Sequence, residues 1–281
     1  MPKTSIHITE LSIISKNPDK LLIDNLSLQL KKFRSLALVG ESGSGKTTIT
    51  KAILGFLPKN CKITQGNIFF NQTDLSKLTP KEFHKIRGPK IATILQNAMG
   101  SLTPSMRIGA QIIETLRQHT KITKQEAYDK AVDLLTDVHI PDPHHCLHQY
   151  PFELSGGMRQ RIVIAIALAS SPELILADEP TTALDSISQA QTLRILHQIH
   201  KQNKSSMLLV THNLALVTEL CNDIAIIKDG KLIETGTVEE VFSTPQHPYT
   251  KKLLHAVSKI PLNKISLPIL SKKFQHIYPH P

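Results

Sequence analysis

The stretch Ser35-Leu36-Ala37-Leu38-Val39-Gly40-Glu41-Ser42-Gly43-Ser44-Gly45-Lys46-Thr47 decides how this chain is read. Its first five residues make a continuous apolar run, which suits a strand buried on both faces. The next eight fit G-x-x-x-x-G-K-[ST]. Glycines there let the backbone wrap so that consecutive N–H groups point at phosphate oxygens. Residues 47–57 read as a helix, ended by Pro58, whose positive end faces the same anion. Lys46 is placed to reach β- and γ-phosphates, and the Thr47 hydroxyl to hold Mg²⁺. A buried strand before the glycines and a helix after them is the context this chemistry demands.

Outward from that stretch the pattern changes three times. Before it, Ile6-His7-Ile8 and Leu26-Ser27-Leu28-Gln29-Leu30 alternate, as half-buried antiparallel strands do. After it, residues 66–70 and 90–95 read as further strands. Residues 96–150 then show helical periodicity, with Ile108, Ile112, Ile113 and Leu116 followed by Ala127, Ala131, Leu134, Leu135 and Val138. That region ends in a Pro- and His-rich loop over residues 141–148. Strands at 174–177 and 207–210, with a helix at 186–202 between them, imply a parallel α/β sheet. Asp229-Gly230 between two short strands is a hairpin signal. We expect one domain over residues 1–260, with a helical subdomain of about 96–155 inserted in the α/β core, and a tail over 261–281.

Composition narrows the function classes. The chain has 281 residues, 40% hydrophobic and 20% charged, enough for a sizeable core. It has no Trp and only 4% aromatic residues, which argues against a stacking surface for single-stranded nucleic acid. The net charge of +10 is scattered, apart from pairs such as Lys31-Lys32 and Lys272-Lys273. It fits diffuse solubility, or loose attraction to an anionic membrane surface, better than a nucleic-acid footprint. Cys61, Cys146 and Cys221 are too few and too far apart for a disulfide framework. The N-terminus lacks an apolar signal core, and the longest apolar stretch, residues 162–169, is far short of the roughly 20 residues needed to span a bilayer. A membrane role must therefore come through a partner.

A second set of polar residues complements the phosphate loop. Leu174-Ile175-Leu176-Ala177 is an apolar strand ending in Asp178-Glu179. Asp178 suits a direct or water-mediated Mg²⁺ contact, and Glu179 suits a group that orients or deprotonates attacking water. Upstream, Leu154-Ser155-Gly156-Gly157-Met158-Arg159-Gln160 precedes a helix over residues 160–170. Ser155 reads as an N-cap, but a cap does not explain two consecutive glycines. One chain with two phosphate-binding turns leaves two arrangements open. The turns face each other within the chain, or each serves half of a shared site.

These motifs occur in one order: the phosphate loop, Gln96 after a strand, Leu154 to Gln160, the acidic strand, Ala183-Leu184-Asp185, and Thr211-His212. Together they resemble the ATP-binding subunits of ABC transporters over about residues 6–242. The resemblance implies an α/β fold: a P-loop NTPase core with a parallel-rich sheet, an N-terminal antiparallel β subdomain and an inserted helical subdomain. It implies ATP and Mg²⁺ as cofactors, held between the phosphate loop of one subunit and the Ser155-Gly156-Gly157 turn of another. By the same resemblance Gly40, Glu41, Ser42, Gly43, Ser44, Gly45, Lys46, Thr47 and Thr48 contact the nucleotide. Thr47, Gln96 and Asp178 hold its Mg²⁺. Glu179, His212 and Gln96 are the catalytic set, with His212 as the histidine at the γ-phosphate. Asp185 couples the two sites across the subunit interface, and also reads as a helix N-cap ahead of Ser186.

Three segments resemble the dipeptide/oligopeptide/nickel importer branch: residues 96–104, residues 150–155, and His247-Pro248-Tyr249-Thr250 with Leu253-Leu254 beyond. The partners implied are a second ATPase subunit, two transmembrane permease subunits and, indirectly, an extracytoplasmic binding protein, with no nucleic acid. The place implied is the cytoplasmic face of the plasma membrane, as a peripheral subunit. The competing expectation, a non-transport ATPase of the family acting on the ribosome or DNA, lacks its usual second ATPase unit or coiled-coil insertion here. Two features depart from the family. Residues 15–20 carry no aromatic to stack on adenine, which leaves apolar contact to hold the base. The tail after Pro261 has no Cys, so no metal cluster is expected there. His144-His145-Cys146-His148 reads as a polar surface loop, since adjacent residues rarely converge on one ion without a distant ligand.

Overall fold

The computed structural model describes residues 4–16, 19–182, 184–203 and 205–258. These fall into two compact units, Met1–Phe83 with Ser206–Pro281, and His84–Ser205. The expected tail over 261–281 lies outside the described residues.

The first unit begins with β1 (Thr4–Lys16) and β2 (Asp19–Lys31), paired antiparallel with Ile8 opposite Leu28 and Ile6 opposite Leu30. In β2, Leu26, Leu28 and Leu30 are buried while Ser27 and Gln29 are exposed, as the period of a half-buried strand requires. Then come β3 (Ser35–Val39), buried at every position, and α1 (Lys46–Ile53), two turns long. α1 is shorter than the helix expected over 47–57, because Gly55 takes a left-handed φ of +65° soon after it. β4 (Cys61–Phe70) pairs with the other edge of β1, and β5 (Thr73–Asp74) pairs with β4. The sheet order is β2-β1-β4-β5. β1 is bulged near Glu10, whose φ is +47°, and Gly66 sits against it. A Cβ at Gly66 would lie 2.2 Å from the Thr9 carbonyl oxygen, so only glycine fits that approach. Ser27 Oγ accepts from the Glu10 N–H at 3.0 Å, so a neighbouring hydroxyl takes up that donor. α2 (Pro80–His84) closes this part.

The second unit opens with β6 (Ile91–Ile94) and the short α3 (Ala98–Ser101), then α4 (Ile108–His119) and α5 (Lys124–Asp137). Ile108, Ile112 and Leu116 line one face of α4, and Ala127, Ala131 and Leu135 one face of α5, all buried. Thr123 and Glu126 form a reciprocal capping box at the start of α5. Residues 143–148 correct the expected loop: they form α6 (Pro143–His148). Asp142 caps it, accepting from the His145 N–H at 3.0 Å, and Pro143 sits in the first turn where its missing N–H costs nothing. Cys146 and Leu147 turn inward, and burial pushes the Cys146 thiol up to about 11. α7 (Gly156–Leu168) starts four residues earlier than its apolar pattern suggests, because Ser155 caps it. Its continuous apolar run begins only at Ile162 and is nearly all buried from there on, so the glycines and Arg159, Gln160 and Arg161 of its first turns carry no apolar signal to mark the start. β7 (Leu174–Asp178) pairs parallel with β6, and α8 (Ser186–Asn203) follows.

The chain then returns to the first unit through β8 (Ser206–Thr211), α9 (Leu214–Leu220), β9 (Asp223–Lys228), β10 (Lys231–Thr237), α10 (Val238–Ser243) and α11 (Pro248–Ser258). β3 lies between β8 and β9, parallel to both, and β10 closes an antiparallel hairpin on β9. Arg34 donates twice to the Asp223 carboxylate, at 2.6 and 2.7 Å, which ties the starts of β3 and β9 together. Asp229 and Gly230 both have positive φ, the primed turn expected of that dipeptide.

Candidate functional site

Parallel pairing puts the phosphate loop and His212 side by side. Val39 of β3 is in register with Thr211 of β8, so Gly40 and His212 leave the carboxyl ends of neighbouring strands. The loop is held from three directions. A Cβ at Gly40 would stand 2.1 Å from the Ile227 carbonyl oxygen of β9. A Cβ on Gly45, whose φ is +107°, would stand 2.6 Å from Ile23 Cδ1 of β2. The Gly230 N–H donates to the Ser44 carbonyl at 3.0 Å, while the Gly230 carbonyl accepts from the Asp24 N–H at 3.0 Å. The Asp229-Gly230 hairpin is thus a buttress for the loop, a role its sequence signal did not disclose.

Lys46 is 6% exposed, and its ammonium donates to Gly40 O at 2.8 Å and Glu41 O at 2.7 Å, with Ser44 Oγ at 3.4 Å. A cation so deeply set in a ring of carbonyls is held at the centre of the loop. No side chain among the described residues caps α1 at Gly45, so its first N–H groups face the loop interior as donors for an anion. Thr47 is exposed at the first turn and Thr48 is half-buried beside it. This cradle fits a polyphosphate, with Lys46 and the loop amides as its partners.

The second unit repeats the strand-end arrangement. Ile94 of β6 is in register with Ala177 of β7, so Leu95-Gln96 and Asp178-Glu179 leave adjacent carboxyl ends together. Gln96 is exposed, and Asp178 and Glu179 are half-buried. Glu179 sits at φ +46°, a left-handed conformation that side chains other than glycine adopt at a cost. Its carboxylate accepts from Thr182 Oγ1 at 2.9 Å, which fixes its direction. Gln160 of α7 donates from Nε2 to Leu95 O at 3.4 Å, linking the Ser155-Gly156-Gly157 helix to the strand end that carries Gln96. Sequence reasoning did not single out Thr182 or the Gln160 contact, and no local signal marks either.

At that turn Ser155 Oγ accepts from the Met158 N–H at 3.3 Å, so the cap holds. Its two glycines differ. A Cβ on Gly157 would clash with Ser188 Oγ at 2.5 Å, so that glycine serves packing within the chain. A Cβ on Gly156 would meet nothing within 4 Å among the described residues. Asp185 caps α8, accepting from the Ser188 and Ile187 N–H groups at 3.0 and 3.1 Å. Those backbone donors, Ser188 first, hold the exposed carboxylate below its ordinary range. In the segment expected near the base, Ser15 is buried and accepts from Asn60 Nδ2 at 3.1 Å, while residues 17–18 lie outside the described residues. Among the described residues no cluster of three or more His, Cys, Asp or Glu side chains converges as a metal site, and no helix is long and apolar enough to cross a membrane.

Known proteins resemble this chain in the same places. Residues 23–182 match the family described as ABC transporter, and residues 233–273 match the oligopeptide/dipeptide transporter C-terminal region. The dipeptide transport ATP-binding protein DppD of Lactococcus lactis subsp. cremoris (strain MG1363) is 45% identical over 243 residues, 86% of this chain and 70% of that protein. The probable D,D-dipeptide transport ATP-binding protein DdpD of Escherichia coli (strain K12) is 38% identical over 270 residues, 96% of this chain and 82% of that one. Among solved structures, the dimeric post-hydrolysis ATP-binding cassette MJ0796 bound to ADP and Pi superposes with TM-score 0.74 at 25% identity, covering 83% of this chain and 98% of that chain.

Proposed function

Since this chain belongs to the ABC transporter family, we propose that it is the ATP-binding and hydrolysing subunit of an importer for dipeptides or oligopeptides. The observation that carries the ATPase reading is the twofold strand-end arrangement: the phosphate loop with His212 in one unit, and Gln96 with Asp178-Glu179 in the other. The peptide assignment rests on relatives named for dipeptide and oligopeptide transport, and on the second family match at residues 233–273. Those names favour peptides over nickel as cargo, and transport over action on the ribosome or DNA.

In this reading Lys46 and the loop amides, Gly40 to Thr48, bind the β- and γ-phosphates of the substrate MgATP. Thr47, Asp178 and Gln96 hold its magnesium ion, which neutralises charge on the phosphates. Glu179, fixed by Thr182, accepts the proton of the attacking water. His212 donates to the γ-phosphate. Gly156 lies open in this chain, which fits a backbone reserved for the nucleotide of a second ATPase subunit, with Asp185 at the same interface. Two permease subunits and, through them, an extracytoplasmic binding protein complete the assembly at the cytoplasmic face of the membrane.

The test is MgATP turnover by the purified chain with its ATPase partner. Glu179→Gln lowers the rate by about 10²–10⁴-fold while nucleotide stays bound. Unchanged turnover removes Glu179 from the mechanism.

A further inference from the structure

Glu179 is held in place by more than its own strand. Its left-handed φ of +46° costs energy and persists only where the surroundings fix it. The Thr182 hydroxyl donates to Glu179 Oε2 at 2.9 Å, and the Thr182 N–H donates to Glu179 O at 3.4 Å. The next link comes from α8. Gln189 Nε2 reaches back across the turn and donates to Thr181 Oγ1 at 3.2 Å. Thr181 is 3% exposed, so little water reaches its hydroxyl to stand in for that amide. The Leu184 N–H donates to Thr181 O at 3.1 Å, which gives Thr181 a second tie to the chain ahead of the helix.

The same first turn of α8 also meets the Ser155 turn. A Cβ on Gly157 would lie 2.5 Å from Ser188 Oγ and 2.9 Å from Ser188 Cβ, so α7 and α8 are in close contact there. Ser188 and Gln189 are neighbours in a turn closed by its own bonds: the Ser188 N–H donates to Asp185 Oδ1 at 3.0 Å and the Gln189 N–H to Asp185 O at 2.8 Å. On one side this turn presses on a glycine of the Ser155 motif. On the other it holds Thr181, next to the threonine that aims Glu179. Close-packed contacts pass a displacement of one side to the other.

We propose that Gln189 is a positioning residue for Glu179, the joint of a strut formed by the first turn of α8 between the Ser155 turn and the Glu179 turn. In the ATPase reading those two turns serve different nucleotides, so the strut links two half-sites within one polypeptide. Only the hydrolysis arm of the test rests on that reading. Gln189→Leu keeps the bulk of the side chain and removes its amide. In the nucleotide-free chain, amide hydrogen exchange over residues 179–182 speeds up several-fold, while β7 and the later turns of α8 keep their rates. With the ATPase partner, single-turnover hydrolysis of MgATP slows about fivefold, the factor of one neutral hydrogen bond, while the dissociation constant for MgATP stays within about twofold. Thr181→Val removes the other half of the bond and slows hydrolysis by the same factor, and the double variant is no slower than either. Gly157→Ala, which displaces Ser188, speeds exchange over residues 179–182 in the wild-type background and adds nothing to Gln189→Leu.

Unchanged exchange over residues 179–182 in Gln189→Leu overturns the joint, as do effects of the two single substitutions that multiply in the double variant. Faster exchange spread evenly over α7, β7 and α8 marks lost packing alone and overturns it too. Gly157→Ala without effect on residues 179–182 overturns the strut. If the wild type does not hydrolyse MgATP, the ATPase reading fails, and the exchange comparisons still decide whether Gln189 holds the turn.

Discussion

The two glycine turns of this molecule look alike in sequence and differ in what the chain does with them. In the phosphate loop Gly40 and Gly45 are forced by the chain itself: the Ile227 carbonyl and the Ile23 side chain leave no room for a Cβ. The helix that follows has no side-chain cap among the described residues, and its lysine is buried in loop carbonyls. At the Ser155 turn the helix is capped from within, Gly157 is needed for Ser188, and a Cβ on Gly156 would meet nothing within 4 Å among the described residues. The first turn is shaped to receive an anion by its own scaffold. The second is finished as a piece of structure and keeps one backbone surface at Gly156 with no described atom within 4 Å of a Cβ, which fits the half of a shared site proposed for it.

Four experiments break or sharpen that contrast. The largest effect is expected from Lys46→Ala, which removes the one cation at the centre of the loop. MgATP affinity falls about 100-fold or more, since charge-assisted bonds contribute about 1.5–3 kcal/mol each. Calorimetry reads this directly, and near-normal binding would mean that the loop amides suffice. Next is Gly40→Ala, where a Cβ meets backbone rather than a yielding side chain. It lowers stability by about 3 kcal/mol in urea unfolding, and a stable variant would refute the close approach of β9.

The third experiment splits the Ser155 turn. Gly157→Ala lowers stability by about 1–2 kcal/mol because Ser188 must move. Gly156→Ala leaves stability unchanged or raises it by up to about 0.5 kcal/mol, as alanine suits a helix better than glycine. Its turnover with the ATPase partner nevertheless drops at least about tenfold, the cost of losing one close backbone contact. Equal stability losses in the two variants would erase the distinction between them. The smallest effect concerns the caps. Ser155→Ala costs about 1 kcal/mol. Asp185 has a native pKa held below its ordinary value of 3.8, so its contribution is complete above that value and is lost as pH falls through the lowered one. Asp185→Asn keeps the acceptor without the titration. The part of the acid loss of stability that disappears in this variant, measured by unfolding at successive pH values, belongs to Asp185.

Much of the architecture was legible because its periodicities are strong. The alternation in Leu26-Ser27-Leu28-Gln29-Leu30, the all-apolar β3, and the helical spacing from Ile108 to Val138 each match one element. The misreadings fall where local pattern and tertiary burial part company. The 141–148 stretch looked like a loop because Pro and His dominate it, yet Asp142 caps a helix whose Cys146 and Leu147 find a core. The start of α7 was hidden because its first turns carry glycines and Arg159, Gln160 and Arg161, and the buried apolar run begins only at Ile162. For the site, the motifs themselves pointed to Lys46, Asp178 and Glu179, and the family resemblance added His212. Neither could show that Thr182 aims Glu179, that Gln160 reaches Leu95, or that Asp229-Gly230 supports the loop. The last two join residues distant in the chain by register and packing, which leave no trace in neighbouring sequence, and the first, though only three residues apart, depends on the left-handed turn at Glu179.

The sequence by itself determined which chemical groups the chain offers. A glycine loop after a buried strand offers its amides and a lysine, groups that suit phosphate, and a strand ending in two carboxylates offers two acidic groups at one place. Tertiary structure alone decided the placement: which strand ends emerge together, which glycines are held by the chain's own atoms, and which is left bare. The physical reason is range. Hydrogen-bonding and charge are properties of single residues and short runs, whereas register, burial and steric exclusion exist only after distant segments have packed.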